Sequence, residues 1–298
     1  MKRHPVRVLL VALTVGLVLI LLLLPGAEAS AYYRGVDRPL VIAHQGGDGV
    51  WPGDTMYAFE QAVSSGVDVL EMDAHITKDG HIVLMHDEEV DRTTNGTGLI
   101  EDLTLEEIKQ LDAAYGWSND QGITFPFRGQ GIQVPALDEL FVAFPHMRYV
   151  IEIKLTRNPI DNPLCDLIRQ HNMQDKVLVA SFHDEAMQSF RTTCPEVATS
   201  ASRGEVTAFV LLGKVFLSGL IVPDYEAIQP PYDPQDSMNI PIMTQRFLRE
   251  AHAKNIAVEP WTVNDPELMR QYIEWGVDGI ITDRPDLMLE VLEEMGRR

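Results

Sequence analysis

Residues 71–98, EMDAHITKDGHIVLMHDEEVDRTTNGTG, place two carboxylates and a histidine on consecutive extended segments. Glu71 and Asp73 are two positions apart, so on a strand, whose side chains alternate, they point to one face. A pair of hard carboxylates suits a divalent cation that prefers oxygen, calcium or magnesium. The apolar run 82–85 then leads into His86, as a buried strand delivers a polar residue to its end. Standing alone, an E-x-D pattern more often marks a solvated surface strand, since charged side chains usually lie outside. What the rest of the chain supplies decides between the two.

Upstream, 40–43 is a short apolar strand ending in His44-Gln45-Gly46-Gly47. Trp51-Pro52-Gly53-Asp54-Thr55 follows, then an amphipathic run with Phe59, Ala62 and Val63 that Thr55 is placed to cap. Downstream, YVIEIK (149–154) carries Glu152 and Lys154 on one face of an otherwise aliphatic strand. That pair is either part of a site or a structural ion pair. Apolar strand candidates recur at 40–43, 67–72, 82–85, 149–153, 177–181, 197–201, 227–229, 257–261 and 279–282. Helical patterns lie between most of them, as at 185–191, 244–254, 266–275 and 286–295. Alternating strands and helices argue for a parallel sheet wrapped by helices, and no linker divides it. The exception is 91–134, rich in Gly, Asn, Asp and Pro, with Tyr115, Trp117, Phe125 and Phe127. Long irregular connections are usually functional or mobile. This one reads either as an insertion leaning over the site or as a packed excursion whose aromatics form its own small core.

The N-terminus has Lys2, Arg3 and Arg7, an apolar run over 8–24, and Ala27-Glu28-Ala29. This is the pattern of an export signal. The run is long for a cleaved signal and slightly short for a comfortable span, so residues 1–29 are either a signal peptide or a membrane anchor. Both readings put the catalytic portion outside the cytoplasmic membrane, secreted or tethered to it. The net charge is −20. Without residues 1–29, which hold three bases and one acid, it becomes −22. Such a surface repels nucleic acid and disfavours a broad basic face on anionic lipid. The remaining length suits one barrel domain of ~250 residues.

The motifs AHQGG, WPGDT, AFEQAVSSGVDVLEMDAHITKDG, LMHDEEVDRTTNGTG, IEIK, SFHDE, WTVND and GVDGIITDRPD run in order from residue 40 to 286. Together they resemble the glycerophosphodiester phosphodiesterase family. The resemblance implies a TIM (β/α)8 barrel over 38–298, with a small insertion after the second strand at about 87–134. It implies that Glu71, Asp73 and Glu152 hold the metal, that His44 and His86 act as an acid/base pair, and that Lys154 meets the phosphate. The substrate would be a small glycerophosphodiester, cleaved to glycerol 3-phosphate and an alcohol.

Two positions depart from the family pattern. Gln45 stands where the family usually has Arg, and Gly53-Asp54 where it has Glu in a P-E-N-T run. The two losses are compatible if they are linked, since losing one member of a buried ion pair strands the other. Gln45 keeps a donor for phosphate but brings neither charge nor a bidentate fork, and Asp54 is a candidate stand-in for the missing acid. The departures leave two alternatives to the hydrolase: phospholipase D-like cleavage of (lyso)phospholipid headgroups, or a noncatalytic phosphodiester-binding protein. Trp261 and Asn264 are expected to line the alcohol side. His75 faces with Glu71 and Asp73 but beyond the strand's expected end. In the barrel, Cys165 falls early in one helix and Cys194 at the end of the next, toward opposite ends, so two free thiols are expected rather than a bridge.

Overall fold

A computed structural model of the chain describes residues 24–298 except 155, 156 and 238, together with residues 9, 12, 13 and 16. The expected signal or anchor over 8–24 therefore lies almost wholly outside the described residues. Among those described, no helix is long and apolar enough to cross a membrane.

The strands are β1 (Leu40–Ala43), β2 (Val69–Ile76), β3 (Ile82–Leu84), β4 (Arg148–Ile153), β5 (Val177–Ala180), β6 (Ala198–Thr199), β7 (Ala227–Ile228), β8 (Ala257–Val258) and β9 (Gly279–Thr282). All except β3 pair in parallel, in the order β6-β5-β4-β2-β1-β9 and, separately, β7-β8. A bridge between Ser200 and Ala227 joins β6 to β7. Ile281 N donates to Pro260 O at 3.0 Å and so joins β9 to the end of β8. Eight parallel strands thus close as a (β/α)8 barrel.

The ninth strand candidate has a different place. β3 pairs antiparallel with the far end of β2, Ala74 opposite Leu84 and Ile76 opposite Ile82. This hairpin lengthens β2 beyond the expected 67–72, so His75 lies inside the strand and is buried.

Each parallel strand needs a crossover, and the helices supply it: α1 (Met56–Ser65), then α2 (Leu105–Ile108) within the insertion, α3 (Leu137–Ala143), α4 (Asp161–Gln170), α5 (Asp184–Thr193), α6 (Arg203–Lys214), α7 (Gln245–His252), α8 (Pro266–Trp275) and α9 (Pro285–Glu294). Thr55 caps α1, its side chain accepting from Ala58 N, as its position in the sequence suggests. Strand alternation sorts the core into two shells. Leu40, Ile42, Val69, Val150, Leu178, Ala198, Ala227 and Ile281 fill the barrel interior. Their neighbours Val41, Leu70, Tyr149 and Ile151 pack outward against Phe59, Phe141 and Phe190 of the helices. Tyr32 enters the same interior cluster from the N-terminal segment, and Tyr33 Oη donates to the buried Glu259 at 2.9 Å.

The insertion carries its own aliphatic core of Val83, Met85, Val90, Ile100, Ile108, Ala113 and Val134. Its aromatics do something else. Trp117 Nε1 donates to Asp48 O at 3.0 Å, and Phe127 packs between Trp117 and Tyr57 of α1. They fasten the insertion to the barrel at the β1 end of the mouth.

The expectation of free thiols is wrong: Cys165 and Cys194 form a disulfide with Cα atoms 5.7 Å apart. The reason is helix stagger. α4 and α5 begin at 161 and 184, yet Asp161 meets Ser189 and Arg169 meets Glu196. The neighbours are therefore 27 to 28 positions apart in the chain. That offset slides α5 more than a turn along α4 and brings its C-terminal cap level with Cys165. The bridge closes a 29-residue separation. Replacing both cysteines with serine should lower stability by about 3 kcal/mol through the freer unfolded chain, read as a lower Tm against the oxidised protein. An unchanged Tm, or two titratable thiols in the native protein, would refute the bridge.

Candidate active site

The barrel interior and the site are one ladder. Two positions beyond an interior apolar residue, each of four strands delivers a polar one: Ile42 is followed by His44, Val69 by Glu71, Val150 by Glu152 and Ile281 by Asp283. Alternation keeps each of them on the inner face, and the C-terminal strand ends are where barrel enzymes hold their chemistry. The register sets Asp73 directly across from Glu152.

Glu71, Asp73 and Glu152 offer carboxylate oxygens that all lie within 4.8 Å of one another. Glu71 and Asp73 are 4% and 1% exposed. Burial pushes Glu71 up to about 8, with the pull of His44 and the repulsion of Asp73 opposing each other. Burial raises Glu152 as well, against the attraction of Lys154. Lys154 Nζ lies 2.9 Å from Asp73 Oδ1 and 3.0 Å from Glu152 Oε1. Burial works against its charge, but those two acids hold it above its ordinary value. Three oxygen donors converging in a desolvated pocket, with one ammonium to balance them, fit a hard divalent cation.

Gln45 does not reach into open space for a ligand. Its backbone N donates to Glu71 Oε2 at 2.9 Å and its Nε2 to Asp73 Oδ2 at 2.8 Å, so it orients two of the acids. A Cβ on Gly53 would lie 2.9 Å from Gln45 Oε1 and 2.7 Å from Asp48 Oδ1. The two departures from the family pattern are therefore sterically linked. Gln45 and Asp54 both hold left-handed backbone, φ 52° each, and Asp54 N donates to Gln45 O at 2.9 Å. Strain of this kind collects at functional sites. Asp54 is buried, its Oδ2 without a hydrogen-bond partner, and burial followed by the charges of Asp73 and Glu71 raises its pKa well above the usual carboxylate range. It is a fourth acid behind the cluster.

The two histidines are held alike. His44 Nδ1 donates to Asp283 Oδ1 at 2.6 Å, with Nε2 3.9 Å from Glu71 Oε2. Burial opposes its charge, but Glu71 and the hydrogen-bonded Asp283 raise it to about 10. His86 Nδ1 donates to Asp87 Oδ1 at 2.8 Å, and Arg92, bonded to the same carboxylate, holds Asp87 down to about 2. Each ring is thereby fixed through Nδ1. His75 Nε2 donates to His86 O at 3.4 Å from behind, so it braces the loop, and burial lowers its pKa.

His44, Glu71, His86, Glu152 and Lys154 line one cavity of about 650 Å³. Trp261 lines it too, with Nε1 donating to Gln229 O at 2.8 Å and its ring edge-on to Phe182. Asn264 is engaged elsewhere: its Nδ2 donates to Asp283 Oδ2 at 2.7 Å and its Oδ1 accepts from Thr282 Oγ1 and Asp283 N. It sets the carboxylate that sets His44, which corrects its expected place on the alcohol side. Asp283 itself was absent from the expected site residues. The signal was present in the chain, because it follows the strand GIIT as His86 follows its own.

The family model of the glycerophosphoryl diester phosphodiesterases matches residues 44–287. A glycerophosphodiester phosphodiesterase of Caldanaerobacter subterraneus subsp. tengcongensis is 32% identical, over 87% of this chain and 100% of its own. One of Bacillus subtilis (strain 168) is 29% identical, over 98% of this chain and 99% of its own. A crystal structure of a glycerophosphodiester phosphodiesterase from Agrobacterium tumefaciens superposes with a TM-score of 0.66 at 25% identity, over 85% of this chain and 99% of that one.

The charges set a pH dependence for the cation-free protein. Glu71 is raised from 4.5 to about 8 and His44 from 6.5 to about 10, so the folded state binds both protons more tightly than the unfolded state. Stability is then lost as pH rises through about 8 for Glu71, and is fully present below 6.5 and lost by about 10 for His44. A divalent cation competes with the Glu71 proton, so its stabilising effect on Tm should grow as pH climbs through about 8. A cation effect on Tm that is flat across this range would count against the cluster. In cation-free protein, Asp283→Asn should lower the His44 pKa, followed by its ring proton shifts in NMR.

Proposed function

The chain belongs to the glycerophosphoryl diester phosphodiesterase family, and on that premise we propose that it hydrolyses glycerophosphodiesters to glycerol 3-phosphate and an alcohol with a divalent cation and two histidines. The observation that carries this reading is the pair of carboxylate-anchored imidazoles on one cavity wall with the three clustered acids. Calcium or magnesium, held when bound by Glu71, Asp73 and Glu152, supplies positive charge to the phosphate oxygens. His44, kept protonated by Glu71 and Asp283, gives a proton to the departing alkoxide. His86 takes one from the attacking hydroxyl, either water or the neighbouring glycerol hydroxyl, the latter giving a cyclic phosphate first. Lys154 stands on the cavity wall beside the acids, and with Gln45 committed to Glu71 and Asp73 it is the cation proposed to meet a phosphate oxygen there. Trp261 forms part of the wall facing the alcohol.

A noncatalytic role for this site is hard to reconcile with its makeup. Burying this many charges costs several kcal/mol and contributes little to packing. The apolar stretch 8–24 and the disulfide support an exported enzyme, secreted or anchored, because such bridges persist in oxidising compartments.

His44→Ala and His86→Ala should each lower kcat by about 10²- to 10⁴-fold with little change in Tm. Chelation should abolish release of glycerol 3-phosphate from a panel of glycerophosphodiesters, and cation add-back should restore it. Full activity in either variant, or turnover indifferent to chelator, would sink the assignment.

A further inference from the structure

The chain is fastened to the barrel well before its first strand, and at the end opposite the active site. Lys254 and Asn255 lie between α7 and β8, at the N-terminal ends of the strands. Lys254 Nζ donates to Leu24 O at 3.3 Å and to Pro25 O at 3.4 Å. Ala27 N donates to Lys254 O at 2.7 Å, and Asn255 Nδ2 donates to Ala27 O at 3.0 Å. A Cβ on Gly26 would run into Lys254 O, so this close approach requires glycine. Farther along, Tyr32 enters the barrel interior, and Arg148 Nε donates to its carbonyl at 2.8 Å. Residues 24–32 are thus a strap built into the floor of the barrel.

The strap contains Ala27-Glu28-Ala29, the small-residue site at which an export signal would be cut. A peptidase has to take these residues into its own cleft, yet Ala27 is buried with both of its backbone groups bonded. Cutting after Ala29 would also discard the two carbonyls that Lys254 Nζ holds. A leader meant for removal has no need of such contacts. The apolar run 8–24 ends at the residue that Lys254 holds, so no linker separates it from the floor. Leu9 and Leu13 of that run are more than half exposed, so the described domain does not cover them. The connection from α6 to β7 lies at the same end of the barrel. It exposes Val215, Phe216 and Val222 by 59%, 74% and 55%, even with the Arg246 guanidinium over the Phe216 ring. Clustered exposed apolar groups mark a contact surface.

We propose that the strap keeps the chain uncut, so that 8–24 stays in the cytoplasmic membrane and the barrel floor rests on the bilayer, with the mouth of the active site facing away. The occupant of the exposed apolar floor is therefore lipid. The length of the apolar run falls within the ~17–25 residues of membrane spans. Lys2, Arg3 and Arg7 precede it, and basic residues stay on the cytoplasmic side, which puts the barrel outside. Attachment through apolar groups needs no basic face, in keeping with the net charge of −20. The proposal rests on the exported reading and is independent of the catalytic one.

The experiment expresses the full chain with a C-terminal tag in a bacterial host, then measures intact mass, carbonate extraction and protease access in spheroplasts. The expected protein keeps residues 1–29, stays with carbonate-washed membranes and loses its tag to added protease. A soluble extracytoplasmic product beginning at Ser30 overturns retention and leaves export standing. A tag protected inside the cell overturns both. Lys254→Ala with Asn255→Ala, or Gly26→Leu should the double variant fail to fold, frees the strap and should yield the product beginning at Ser30. A folded variant that remains uncut overturns the role given to the strap. In vesicles of brominated phosphatidylcholine, the fluorescence added by Phe216→Trp should be quenched, and that added by Ile123→Trp, an exposed position on the insertion at the mouth, should not. The reverse pattern, or quenching of neither, overturns the orientation.

Discussion

Four buried or half-buried acids, Glu71, Asp73, Glu152 and Asp54, crowd one end of the barrel, and their mutual repulsion is what the surrounding structure answers. Lys154 spans two of them, and Gln45 gives one donor to each of Glu71 and Asp73. His44 takes its raised pKa from the same field, through Glu71 and the hydrogen-bonded Asp283. Three of these acids converge closely enough that they could hold a cation.

That constraint also explains the two departures from the family pattern. An Arg at position 45 would bring a charge, and a Glu at 53 would answer it. Here a neutral amide turns onto Asp73, and Gly53 leaves room for its oxygen. The replacement is a change of packing as well as of charge, so neither position can be judged without the other. With Gln45 turned onto the acids, the proposed reading leaves phosphate recognition to Lys154.

Much of this was legible because strand alternation is strict. Once 40–43, 69–73 and 149–154 are strands, His44, Glu71, Asp73, Glu152 and Lys154 fall on inner faces by parity alone. The same parity applied to Gly279–Thr282 reaches Asp283 two positions beyond the inward Ile281. Other features were hidden for physical reasons. Antiparallel pairing of β3 depends on a tertiary hairpin that apolarity over 82–85 cannot distinguish from a barrel strand. The insertion's aromatics left two readings open, an overhang of the mouth or a core of their own, because composition does not say what large side chains pack against; aliphatic residues fill the core, and Trp117 and Phe127 clamp the insertion to the barrel.

The sequence by itself determined the alternating strand and helix units, the face on which each charged residue stands, and the family, since all of these follow from local periodicity and motif order. The tertiary structure decided what depends on how separate elements slide and meet. The stagger of α4 against α5 made a disulfide where linear position argued for two thiols. The turn at residues 44–46 aimed Gln45 at the acids rather than at a ligand. Val206 and Val210 of α6 meet Ile240 and Ile242 of the β7 connection on the wall of the cavity that holds His44 and His86. Each is a matter of relative placement in three dimensions, for which the order of residues along one strand or helix carries no term.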